Sequence, residues 1–289
     1  MSSSAVGCVN LSGKYWYYGL IALSLVFLVM AIRHRGNWKL FVMQLMIFAV
    51  IHPFELVVLL TNGYRYLPGI THTVVDIHIG SFISNLCIVP ASAVLLNAYQ
   101  LSWRYKLGFA VIFTFVDWYF TVLGIYQHFW WKSIYTGLGL LILYTLNDLM
   151  WSKISRQRVS QGFRLVSIYL TYFALHTVLA FAVNQGGVVF QFQLESIPLG
   201  SVKTMGLISV LYQAVISCVV TLAIGLKIAF RYRVLGALVI VGLNGLLGHF
   251  GVFVPLAPVH VQWLLFIPLV SIGLLSLLFK KAHLKYLFP

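Results

Sequence analysis

The chain has 289 residues, of which 61% are apolar and only 8% are charged. Nineteen Lys and Arg stand against five Asp and Glu, a formal charge of +14, and the mean hydropathy is +0.95. Soluble domains carry roughly 25% charged residues, so a water-soluble globule is excluded, and the apolar content excludes a disordered chain. The composition predicts an all-α, polytopic transmembrane helix bundle.

Nine apolar runs reach the roughly 20 residues that a helix needs to cross a bilayer. In chain order they are 15–32, 40–60, 80–100, 107–126, 134–152, 164–183, 204–226, 234–254 and 261–279. The first has no basic segment before it and no A-x-A cleavage pattern, and Arg33-His34-Arg35 follows it. It therefore reads as a retained anchor and not as a signal peptide. The third contains Asn85 and Pro90, and the eighth is rich in glycine.

Charge tests this count. With the N-terminus outside, the outside connections hold Lys14, Arg65, Lys132 and Lys203, which leaves fifteen of the nineteen Lys and Arg inside. Cationic loops stay on the cytoplasmic side, so the distribution favours nine spans with the N-terminus outside and the C-terminus inside. Short basic clusters between apolar runs do not make the continuous basic face that binds nucleic acid. Seven of eight tryptophans fall at predicted span ends, where indole rings suit the headgroup level; Trp118 is the exception.

The pattern divides the chain into an anchor and first basic loop (1–39), a four-helix group (40–152), a basic inside linker (153–163), and a second four-helix group with a basic tail (164–289). Features recur between the groups. His52 and His176 hold corresponding places in the first helix of each, Arg104-Tyr105-Lys106 answers to Arg231-Tyr232-Arg233, and Asp117 answers to Asn244. A 1 + 4 + 4 internal repeat would relate the groups by an axis along the membrane normal.

From about Tyr64 to Trp151 the chain carries Pro90, Asn97 ahead of a basic loop, Asp117-Trp118, and Tyr126 followed by Trp130-Trp131. In these positions it resembles a family of small uncharacterised polytopic membrane proteins of spore-forming bacteria. That family usually has an acidic residue before its phenylalanine-rich third helix, where this chain has Ser84-Asn85. The resemblance implies a bacterial plasma membrane and no particular chemistry.

Ionisable groups at membrane depth are costly and point to function or to a buried partner. His52-Pro53-Phe54-Glu55 puts a His and a Glu three apart on one helix face, beside a proline expected to kink the second span. Asp117 is the deepest acid, with His52, His176 and Asn244 as partners to test. The candidate intramembrane polar site is thus His52, Glu55, Asp117, His176 and Asn244. Asp148, five residues before Lys153, reads as half of an interfacial ion pair. Gly242, Gly245, Gly248 and Gly251 read as a close-packing stripe or a narrow pore lining. His72, Asp76 and His78 can gather a cation or simply be solvated, and paired histidines can ligate haem or metal, but no ligand set is fixed and no cofactor is expected.

No HExxH, GxSxG, diphosphate-binding acidic pair or Cys–His motif is present. The favoured reading is a transporter or permeation protein for a small solute or ion, with lipid as its surroundings and an oligomer compatible with the sequence. The alternatives are a non-transporting sensor or assembly component, and an intramembrane enzyme built on His52, Glu55 and Asp117.

Overall fold

A computed structural model describes residues 6–70, 75–155, 159–186, 190–192, 201–225, 230–250, 253–255, 261–282 and 284. Each of the nine apolar runs overlaps a helix. Among the described residues, five helical stretches, Gly13–Arg35, Lys39–Leu60, Asp76–Ala98, Gln161–Val183 and Gly206–Gly225, are long and apolar enough to cross a membrane. The chain is a helical membrane protein. It divides into two compact units, Met1–Ser155 and Arg156–Pro289.

The first unit begins with α1 (Val6–Arg35) and α2 (Lys39–Leu60). Strand β1 (Tyr64–Tyr66) follows, then α3 (Val75–Phe82), a π-helical segment (Ile83–Ile88) and α4 (Val89–Ala98) in one continuous rod. Helix α5 (Trp103–Val122), strand β2 (Tyr126–His128) and α6 (Ser133–Ile154) complete it. Helix α1, read from the sequence as a separate anchor, lies along α4 and the π segment, and α5 lies along α6.

Two prolines behave differently. Helix α2 continues through Pro53. The departure from α-helical hydrogen bonding falls instead at the π segment, just before Pro90. A proline has no N–H, so Pro90 cannot donate to the carbonyl four residues back, that of Leu86. The Gln44 side chain of α2 supplies the missing donor, with its Nε2 2.7 Å from Leu86 O and 3.2 Å from Cys87 O. Inside a bilayer each freed backbone group needs such a partner.

Helix α5 stops at Gly124, whose φ of 71° is open to glycine and costly for other residues. Ile125 N–H then donates to Phe120 O at 3.1 Å, closing the helix end and turning the chain into β2. Strands β1 and β2 pair antiparallel, with Tyr64 opposite His128 and Tyr66 opposite Tyr126. Alternation along each strand leaves Arg65 and Gln127 exposed and turns Tyr64, Tyr66, Tyr126 and His128 inward.

The second unit runs α7 (Gln161–Gly186), β3 (Phe190–Phe192), α8 (Ser201–Gly225), α9 (Phe230–His249), β4 (Phe253–Pro255) and α10 (Val261–Lys281). Strands β3 and β4 pair antiparallel, with Phe190 opposite Pro255 and Phe192 opposite Phe253. Helix α7 packs on α8 and α10. The order helix, strand, helix, helix, strand, helix thus recurs in 39–154 and 161–281. The close packing of α5 on α6 has no equal between α9 and α10 among the described residues.

Candidate functional site

Glu55 sits one turn before the end of α2 and is 2% exposed. Hydroxyls from two other elements converge on its carboxylate. Tyr64 and Tyr66 donate to Oε1 at 2.9 and 2.6 Å, and Ser81 of α3 donates to Oε2. Strand periodicity explains the first two: residues two apart in β1 face the same way, so both tyrosines reach inward while Arg65 points out. Burial, and after it the Glu55 carboxylate, push both phenols well above the usual tyrosine range. They therefore stay protonated and act as donors.

Gly80 brings α3 close enough for this. A Cβ there would lie 2.6 Å from Tyr66 Cβ and 2.9 Å from its Cγ. Only a bare Cα fits between α3 and β1, and Ser81 is the next residue.

Asp117 lies on α5, its side chain 9% exposed. Its Oδ1 accepts from Thr136 Oγ1 at 3.2 Å, and Trp131 Nε1 donates to that same Thr136 oxygen at 3.0 Å. His128 Nε2 stands 3.1 Å from Oδ2, an ion pair whenever the imidazole carries its second proton. Within the first unit Asp117 has partners that the sequence did not suggest: β2 and the start of α6 return to it after the Gly124 turn.

Glu55 and Asp117 line one cavity of about 530 Å³ within the first unit. Its walls come from α1, α2, the π segment, α5, both strands and α6, and include Tyr17, Phe54, Tyr64, Tyr66, Phe113, Phe120, Tyr126, Trp131 and Tyr135. The aromatic rings pack on one another: Tyr66 stacks on Tyr126 at 4.9 Å between centroids, and Tyr64 stands edge-on to Trp131 at 5.5 Å.

The other candidates lie elsewhere. His52 is not in the cavity lining; it stacks on Phe48 at 5.1 Å and meets Phe82 edge-on at 5.4 Å. Residues three apart on a helix differ by about 60° in direction, enough to send His52 to Phe82 while Glu55 enters the cavity. His176 and Asn244 belong to the second unit. Tyr212 joins them: its hydroxyl donates to Asn244 Oδ1 at 2.8 Å, and its ring lies 6.2 Å from that of His176.

Three further groups singled out by the sequence have their own places in the fold. Asp148 forms the ion pair expected of it, with Lys106 of α5 as its partner. Asp76 accepts the backbone N–H groups of Gly69 and Ile70 at 2.7 and 2.9 Å, which folds the loop before α3. His72 lies outside the described residues, and no group of three His, Cys, Asp or Glu among the described residues is placed to hold a metal. Along the glycine stripe, a Cβ at Gly242, Gly245 or Gly248 would meet no atom of the described residues within 4 Å, and Gly251 lies outside them.

Tyr64, Tyr66, Ser81 and His128 were not among the sequence candidates. The triplets Tyr64-Arg65-Tyr66 and Tyr126-Gln127-His128 alternate as strands do, and that alternation is the signal that finds them. No protein-family model, curated protein or solved structure matches the chain.

Proposed function

We propose that this chain is a multi-pass protein of a bacterial plasma membrane that moves a small solute or ion through a site in its first unit. The observation that carries the reading is the convergence of two acids, the buried Glu55 and the half-buried Asp117, on one cavity of aromatic and aliphatic side chains. Buried carboxylates are costly inside a bilayer, and a structural role would need only a partner, not a cavity around both. The π segment in the cavity wall is the kind of helix irregularity found at functional sites.

The strand pairs support nine spans. Pairing of β1 with β2 requires the connections 61–74 and 123–132 to lie on the same side of the bilayer, so the two helical rods between them cross out and back. Pairing of β3 with β4 makes the same demand on α8 and α9. The recurrent element order supports an internal repeat. The charge distribution puts the strands outside. Arg65→Cys and Gln127→Cys, both at exposed positions, should react with an impermeant thiol reagent in intact cells. Lys153→Cys should react only after lysis, and the opposite pattern would invert the orientation.

Transport itself is tested with the whole chain in proteoliposomes, offered radiolabelled amino acids, sugars and organic cations in turn. Saturable uptake of one class is expected, and Asp117→Asn should remove it. Uptake equal to that of empty liposomes for every class would leave a sensor or assembly component as the better reading.

A further inference from the structure

The cavity lining has a charge pattern that narrows its ligand. Two of the five acidic residues in the chain line it, and among the described residues no Lys or Arg does. Asp117 has His128 beside it. Glu55 has three hydroxyl donors and no Lys, Arg or His within ion-pair distance among the described residues. Hydroxyls satisfy the lone pairs of a carboxylate, but they do not cancel its charge.

The rings of Tyr64, Tyr66, Tyr126 and Trp131 share the wall with these acids, and aliphatic side chains make up much of the rest. Ring faces attract cations through their quadrupole, most strongly when water is excluded. A bare metal ion does not suit such a wall, since it needs several oxygen or nitrogen ligands at close range. An anion would meet the two acids. A neutral apolar molecule would fill the space and leave the Glu55 carboxylate without a counter-charge. At about 530 Å³ the cavity falls in the size range of sites for drug-sized molecules.

We infer that the cavity binds a lipophilic organic cation, an amine or quaternary onium, with Glu55 and Asp117 facing its charge and Tyr64, Tyr66, Tyr126 and Trp131 its apolar body. This deepens the transport reading and rests on the same site. The cation class can fail while transport stands, and the reverse.

The test uses two probes of the same shape and opposite charge, tetraphenylphosphonium and tetraphenylborate. Binding of each to the whole chain in phosphatidylcholine nanodiscs is measured by equilibrium dialysis against empty discs. Tetraphenylphosphonium is expected to bind saturably, one per chain. Glu55→Gln and Asp117→Asn should each weaken it by about tenfold or more, and Trp131→Leu by about three- to tenfold. Asp148→Asn removes an acid outside the cavity and should leave the affinity unchanged. Should the amide at position 55 prevent folding, Asp117→Asn and Trp131→Leu still decide the matter. Equal binding of tetraphenylborate, wild-type affinity in both acid variants, or no binding above empty discs would each overturn the inference. Tracer uptake of a neutral solute without phosphonium binding would sink the cation class and keep transport. Phosphonium binding that depends on Glu55, without uptake of any tracer, would keep the cation site and sink transport.

Discussion

Glu55→Ala is expected to destabilise the first unit by about 3–5 kcal/mol, because three hydroxyls lose their common acceptor at about 1–3 kcal/mol each. The effect should appear as an earlier midpoint in SDS titration of the protein in mixed micelles. Three donors meet at this carboxylate, from Tyr64, Tyr66 and Ser81. Without it they are left without their acceptor, and an unsatisfied buried polar group costs about 1–3 kcal/mol. The full sum is not reached, because the Tyr66 hydroxyl also interacts with Ser84. Glu55→Gln should recover most of the loss. Its carbonyl can still accept from both tyrosines, and its amide can donate to the Ser81 oxygen. Equal loss in the alanine and glutamine variants would mean that the charge, and not the hydrogen-bond geometry, holds α2 to β1 and α3.

The sequence made the helices readable because lipid leaves few alternatives. A run of about 20 apolar residues must satisfy its own backbone, so helix placement follows from composition. Glu55 and Asp117 were also visible, since an acid inside an apolar run stands out. Their partners were not. Tyr64 and Tyr66 lie in a short connection with no helical period, and Ser81 belongs to a different helix, so only the tertiary fold brings them to Glu55. His128 reaches Asp117 because the chain reverses at Gly124. Pro53 drew attention as a break, yet the irregular helix lies in Ile83–Ile88, marked in its own sequence only by the polar pair Ser84-Asn85. The cue was Pro90 together with Gln44, a polar residue in an apolar run whose partner is a backbone carbonyl on another element. The ion pair of Asp148 was legible from a lone acid near a basic span end, but its partner Lys106 stands 42 residues away on another helix, and only the fold brings the two together.

Gly80→Ala should couple the helix packing to the site and can be read as a double-mutant cycle. The added Cβ would come within 2.6 Å of Tyr66 Cβ, an atom next to the backbone that cannot swing aside as a side-chain tip would. Either β1 or α3 must move, and overpacking of this kind costs about 1–3 kcal/mol. Movement of Tyr66 also pulls its hydroxyl from Glu55, a contact of 2.6 Å. Tyr66→Phe alone removes that hydrogen bond to a carboxylate and should cost about 1.5–3 kcal/mol. If Gly80 acts through Tyr66, the double variant Gly80→Ala/Tyr66→Phe will lose clearly less than the sum of the single losses, because the bond broken by one change is no longer there for the other. Coupling of residues in contact is about 0.5–3 kcal/mol, whereas independent sites add to within about 0.5 kcal/mol. Strict additivity would show that α3 yields without disturbing the tyrosine, and that the glycine serves the helix–strand contact alone.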